Sequence, residues 1–371
     1  MKYYTLYLTL AALLLSSCDI NTEKEILGNL LYHDVTLSEN SSMSCATCHN
    51  DKSAYVDIRE SMIGHMAAGS ANGLFFGDRN VPTVAYAAYI PVFEKLTIDG
   101  KVIYQGGQFL DGRAKDLQAQ AAGPFLNGKE MQMPNKKGVM QRIQKNAFYR
   151  YTLKKIYGVD IFNDDNASYD AMTNAIASYE QKEIFSPFDS KYDRALEGKY
   201  TFSDEEARGL ALFGDTNRTK CSLCHPLLKE DKTAGMFTNY RYHNLGVPKN
   251  KALREINGMG DTYIDHGLLM NPEVNETIQD GKFRTSTLRN IANTAPYMHN
   301  GLFKELKTVI HFYNTRDVKG AINPETGKTW EVAEVPTTMN HSKLGNLGLS
   351  DAEENDIVAF MKTLSDKRYE K

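Results

Sequence analysis

The chain has 371 residues, of which 42% are hydrophobic and 24% charged, and a formal net charge of −3. This is the composition of a soluble globular protein, not of a membrane-spanning or disordered one, and at this length two domains of ordinary size are expected. No basic patch is present to recruit nucleic acid.

Residues 1–17 carry one charge, Lys2, and an apolar run from Leu6 to Leu15 that ends in Ser16-Ser17-Cys18. The run is shorter than the ~20 residues a bilayer requires, so it reads as the apolar part of an export signal. Small residues directly before a cysteine resemble a bacterial lipobox, in which Cys18 becomes the lipid-modified first residue of the mature protein. The expected location is therefore the cell envelope, facing the periplasm and lipid-anchored through Cys18. Removal of the leader with its Lys2 leaves a net charge of −4.

Next comes Thr22-Glu23-Lys24-Glu25, a capping box, followed by Ile26, Leu27, Leu30 and Leu31 on one helical face. A helix is also read over Tyr169–Glu183. A boundary is expected between Ser186-Pro187 and Gly198, dividing the mature chain into residues 18–190 and 191–371. Ser203-Asp204-Glu205-Glu206 repeats the capping device before Ala207, Leu210, Ala211 and Phe213. Lys229–Asp280 has no sustained period and is rich in Gly, Asn and Pro, so it reads as long ordered loop with some strand. Ser350–Glu353 caps a last helix with Ile357, Phe360, Met361 and Leu364 on one stripe.

The first and second of these capped helices each precede a Cys-x-x-Cys-His pentapeptide, Cys45-Ala-Thr-Cys48-His49 and Cys221-Ser-Leu-Cys224-His225. That pattern is the attachment signature of c-type haem: two thiols add to the vinyl groups and the adjacent histidine binds the iron. Zinc would want a second pair at knuckle-like spacing, and a redox dithiol would want a βαβ context; neither is present. Two covalent haems are expected, with His49 and His225 as proximal ligands. Attachment outside the cytoplasm agrees with the leader. The fold expected is mainly α, with two tandem cytochrome c-like haem domains and long ordered loops.

The chain resembles the bacterial dihaem cytochrome c peroxidases and their MauG relatives over nearly all of its mature length. The blocks that carry the resemblance are Ser44–His49, Arg79-Asn80-Val81-Pro82-Thr83, Asp111-Gly112-Arg113, Gln120–Pro124, Glu130-Met131, Thr287-Leu288-Arg289-Asn290 and Thr294–Gly301. It implies that the first haem is peroxidatic, with Glu130 as acid/base, Gln120 orienting peroxide and Pro124 lining the pocket. His65, 16 residues after His49, corresponds to the switchable distal ligand, and the glycine-rich stretch Gly64–Gly77 could carry it as a mobile lid. Tyr313, 14 residues after His299 in a helix read over Lys304–Asn314, stands where typical peroxidases have a Met ligand and MauG-type enzymes a Tyr. Met298 is its rival as ligand of the second iron, and a buried structural tyrosine is the remaining alternative. A phenolate favours ferric iron and a thioether ferrous iron. Leu110 departs from the family, which usually has an oxidisable Trp there as a relay between the haems. The resemblance also implies calcium, held by the Asn80 side chain and the carbonyls of Thr294 and Pro296, unless Asn80 and Thr294 only cap turns.

The leading functional expectation is reduction of hydrogen peroxide with electrons from a small cytochrome c or cupredoxin, passed from the C-terminal to the N-terminal haem. Related peroxidases are commonly dimers. The alternatives are a MauG-like oxidation of a partner protein or small molecule, which Tyr313 favours and Leu110 opposes, and a non-catalytic electron carrier. A carrier has no use for Glu130 and Gln120 above one haem.

Overall fold

The computed structural model describes residues 19–57, 59, 69–229 and 235–370. Cys18 and His65 lie outside the described residues. Among these, the chain forms helices α1 Ile20–His33, α2 Cys45–Cys48, α3 Leu117–Ala121, α4 Gly123–Leu126, α5 Lys136–Lys145, α6 Ala147–Tyr157, α7 Asp165–Glu180, α8 Lys191–Leu196, α9 Asp204–Gly214, α10 Lys251–Ile256, α11 Leu306–Thr315 and α12 Asp351–Lys362. Three antiparallel two-stranded ribbons are interspersed: β1 Glu94–Ile98 with β2 Lys101–Gln105, β3 Tyr242–His243 with β4 Phe283–Arg284, and β5 Ile322–Asn323 with β6 Lys328–Thr329. The longest ribbon pairs Ile98 with Lys101 across Asp99-Gly100, both at positive φ, the left-handed pair a two-residue hairpin requires.

The expected caps at Ser203 and Ser350 are formed, each with reciprocal bonds to the glutamate three residues on. The first helix differs. Its N-cap is Asp19, whose carboxylate accepts from the Asn21 N–H, so Thr22 and Glu25 fall inside the helix. An aspartate further upstream offers the same acceptor and lets the helix begin earlier. The helix read over Tyr169–Glu183 starts four residues sooner, at Asp165 behind the Asp164 cap, and ends at Glu180. That read over Lys304–Asn314 starts at Leu306. The Lys229–Asp280 stretch contains the two-residue strand β3 and α10, which is capped by Asn250.

Two large hydrophobic clusters organise the chain. One gathers Leu27, Leu31, Phe125, Ile143, Leu153 and Ile176, with Cys45 and Cys48 packed against it. The other gathers Phe213, Phe237, Phe303, Phe312, Phe360 and Leu364, with Cys221 against it. Each is built on a close helix crossing. A Cβ at Gly28 in α1 would lie 2.0 Å from the Ala175 carbonyl oxygen of α7, and one at Gly209 in α9 would lie 1.9 Å from that of Asp356 in α12. Only glycine permits that backbone approach.

Buried polar contacts join the two regions. Arg79 makes two bonds of 2.7 Å to Asp265 and one of 2.6 Å to Asp111. Asp366 accepts from Tyr86 and, at 2.8 Å, from Asn290. Arg289 pairs with Asp193 at 2.9 and 3.0 Å while stacking on Tyr86 and Phe188. Removing one member of such a buried pair costs about 3–5 kcal/mol, because the other charge is left without compensation.

Gly209→Ala forces α9 and α12 apart. It is expected to lower stability by about 1–3 kcal/mol, read as a fall in the thermal unfolding midpoint; a midpoint equal to that of the parent would contradict this account of the crossing.

Candidate active site and haem pockets

Around the first motif, Cys45–Cys48 form the single turn α2, whose N-terminal Ser44 N–H donates to Thr47 Oγ1 at 2.9 Å. The turn delivers His49 with its ring shielded from bulk water and facing a cleft. Its Nδ1 lies 3.1 Å from the Tyr55 carbonyl, so Nδ1–H donates there and Nε2 is left to face a metal. Tyr55 is at φ 58°, a left-handed backbone that a bulky residue adopts only at a cost. Burial lowers the His49 pKa and keeps the imidazole neutral, the form that ligates iron.

The same cleft, of about 40 Å³, is lined by Cys45, Cys48, His49, Gln120, Pro124 and Glu130. The Glu130 carboxylate accepts from Asn127 Nδ2 at 2.7 Å. Its pKa is raised by burial, against the opposing effects of the Asn127 bond and the Arg113 cation. The Ala71 N–H donates to the Glu130 carbonyl at 2.7 Å, so the described part of the Gly64–Gly77 stretch is fastened beside the acid.

Glu180, the last residue of α7, reaches the same cleft, and sequence reading missed it. It is 3% exposed, Oε2 has no hydrogen-bond partner among the described residues, and burial raises its pKa from 4.5 to about 8. The only sequence signal was an acid in the apolar stripe of a helix.

The second motif repeats the arrangement. His225 Nδ1 lies 2.6 Å from the Phe237 carbonyl, and Phe237 is at φ 50°. Burial lowers the His225 pKa to about 4. A cavity of about 290 Å³ opens beside it, lined by Cys221, Cys224, His225, Met298, Tyr313 and Leu110. The Tyr313 hydroxyl is 4.0 Å from Met298 Sδ, so the two rival ligands occupy one spot. Burial, followed by the neighbouring Cys224 and Cys221, holds the Tyr313 phenol protonated unless a cation binds it.

The donor sets fit haem. Burial pushes the Cys48 thiol up to about 12 and Cys221 to about 11, and Cys45 and Cys224 rise also. Each motif brings two thiols and a neutral imidazole to the wall of one cavity, the set that covalent haem attachment uses. Among the described residues no three His, Cys, Asp or Glu side chains are placed to hold a metal ion. At the first motif the fit rests on the donor set more than on the room available.

Two of the residues expected around calcium are in contact. Asn80 Nδ2 donates to the Pro296 carbonyl at 2.6 Å. Leu110, 8% exposed, lines the larger cavity. Trp330 donates to Thr315 Oγ1 at 3.0 Å and packs on Phe312, a structural role.

The sequence profile of the di-haem cytochrome c peroxidases matches residues 22–201. The methylamine utilization protein MauG of Paracoccus denitrificans (strain Pd 1222) is 42% identical over 349 residues, covering 93% of this chain and 89% of its own. The chain belongs to the dihaem cytochrome c peroxidase and MauG family. The cytochrome c551 peroxidase of Pseudomonas aeruginosa is 29% identical over 364 residues, covering 94% of this chain and 80% of its own. The dihaem peroxidase BthA of Burkholderia thailandensis E264 has the same fold, with a TM-score of 0.82 at 28% identity over 93% of this chain and 86% of that one. Membership makes this dihaem protein an oxidoreductase with two haem c groups. Among the described residues no helix is long and apolar enough to cross a membrane.

The raised pKa of Glu180 has a consequence for stability. The protonated form stabilises the fold fully below about pH 4.5, and that contribution is lost as the pH rises through about 8. Glu180→Gln, neutral throughout, is expected to flatten this part of the stability profile, measured by denaturant unfolding across the interval. An unchanged profile would show that Glu180 is already ionised in the folded protein.

Proposed function

We propose that the protein reduces hydrogen peroxide to water in the cleft beside His49, with electrons from a small cytochrome c or cupredoxin entering at the C-terminal haem. The observation that carries this reading is that Gln120, Pro124 and Glu130, separated in sequence from the first motif, line one cleft with Cys45, Cys48 and His49. A haem held at Cys45, Cys48 and His49 would supply the two electrons that break the O–O bond. Glu130 takes the proton of the near oxygen and delivers it to the leaving oxygen, which departs as water and not as hydroxide. Gln120 holds the bound peroxide by hydrogen bonding and Pro124 limits the space around it. Overall, peroxide, two protons and two electrons give two waters. A positioned acid/base contributes about 10²–10⁴-fold.

On this reading residues 18–190 form the peroxidatic domain and 191–371 the electron-transfer domain, and the two hydrophobic clusters support the division. His65 would be the sixth ligand of the first iron in the resting state, and Tyr313 that of the second. Calcium between the domains would use Asn80, Thr294 and Pro296; the short Asn80–Pro296 contact supports the location, and the absence of a carboxylate makes binding modest. Lipid anchoring through Cys18 and dimer formation complete the proposal.

A second reading, MauG-like oxidation of a partner protein or small molecule, is favoured by the position of Tyr313 in the C-terminal cavity and by the 42% identity with a MauG. Leu110 argues against it, since an aliphatic side chain cannot be oxidised as a relay.

Glu130→Gln should retain both haems and their spectra yet lose peroxide turnover by about 10² or more, the contribution of proton transfer. Turnover within a few-fold of the parent would remove Glu130 from the acid/base role.

A further inference from the structure

Three arginines are buried among the described residues: Arg254 and Arg289, each 1% exposed, and Arg284, 7% exposed. Arg254 has Glu334 at 3.2 Å, and Arg289 has Asp193 at 2.9 and 3.0 Å. Arg284 has no carboxylate. Its Nε and Nη2 reach the Phe109 carbonyl at 3.3 and 3.2 Å, and burial lowers its pKa. A guanidinium with five donors and one neutral acceptor, withdrawn from water, is costly unless an anion joins it.

Among the described residues no carboxylate pairs with it. The acid nearest in its electrostatic surroundings, Asp111, already accepts from Arg79 and Arg113 at 2.6 Å each. A hydroxyl without a partner lies close by. The Tyr240 hydroxyl is buried without a hydrogen-bond partner and feels the Arg284 charge. Arg284 and Tyr240 line the same cavity as Cys221, Cys224 and His225. A cation without a carboxylate and a hydroxyl without a partner line a space whose attachment motif calls for a ligand that carries two carboxylates of its own.

We propose that Arg284 and Tyr240 form a clamp for a propionate carboxylate of the C-terminal haem, an inference that rests on haem attachment at Cys221 and Cys224. The clamp is rooted in the other half of the chain. The Arg284 N–H donates to the Leu110 carbonyl at 2.9 Å while its guanidinium holds Phe109, so the carboxylate edge is tethered to the Phe109–Arg113 segment. Arg284 is a positioning residue, and its charge stabilises the electron added on reduction, which raises the potential of that haem.

The test uses the full-length dihaem protein and optical redox titration at about pH 8, where free carboxylates are ionised. Arg284→Gln is expected to shift the C-terminal haem to lower potential with the N-terminal spectrum unchanged, and Arg284→Lys to stay near the parent. Tyr240→Phe is expected to shift the same haem in the same direction, by less. Arg284→Gln at the parent potential overturns the clamp. Should Arg284→Gln fail to mature, Tyr240→Phe decides: a lowered potential supports the clamp, and a parent-like one overturns it. Intact mass keeps the two ideas apart, since a parent protein without haem on Cys221 and Cys224 fails the attachment reading and not the clamp.

Discussion

The structure depends on two imidazoles held by two backbone carbonyls. His49 donates to Tyr55 and His225 to Phe237, each through Nδ1. Both acceptor residues are large and lie in the left-handed region of backbone space, where each costs of order 1 kcal/mol. That cost turns the carbonyl inwards, fixes the tautomer and leaves Nε2 as the one ligating atom. Everything else in each half serves this arrangement. The capped helices bring the Cys-x-x-Cys turns to the hydrophobic clusters, and the glycine crossings at Gly28 and Gly209 bring α7 against α1 and α12 against α9.

The two pockets differ in what faces the imidazole. The first gathers polar groups. Its two carboxyls are pushed in the same direction by burial but are not equivalent, because Glu130 has the Asn127 amide and the Arg113 cation to favour its ionised form and Glu180 has no such partner. The second pocket is larger, with Tyr313, Met298 and Arg284, a cation without a carboxylate partner, on its walls. A phenolate there would lower the potential of the iron and a cation would raise it, so the balance between the proposed Tyr313 ligation and Arg284 sets how readily that haem gives up electrons.

Much of this was legible in the sequence because it is written locally. A pentapeptide carries haem attachment, and Ser203 and Ser350 announce their helices through a glutamate three residues on. The blocks holding Gln120, Pro124 and Glu130 mark residues that the fold then brings together. What stayed hidden depends on contacts distant in the chain. The identity of the first cap turned on Asp19 competing with Thr22 for the same amides. Gly28 and Gly209 look like ordinary helix-weakening residues until the crossing helix is seen. Glu180 and Arg284 carry no motif, and their interest arises because nothing of opposite charge packs against them. His65 is not among the described residues, so its role rests on spacing alone.

The proposed division of labour between the haems is tested most directly by EPR and optical spectra, extended into the near infrared, of the purified protein held oxidised, half reduced and fully reduced. The account predicts two haems of separate potential and a ferric C-terminal haem without the thioether-to-iron band of His/Met ligation, because Tyr313 holds the iron. A native spectrum that carries that band, abolished when Met298 is replaced, would contradict Tyr313 ligation and return the second haem to the ordinary dihaem peroxidase pattern.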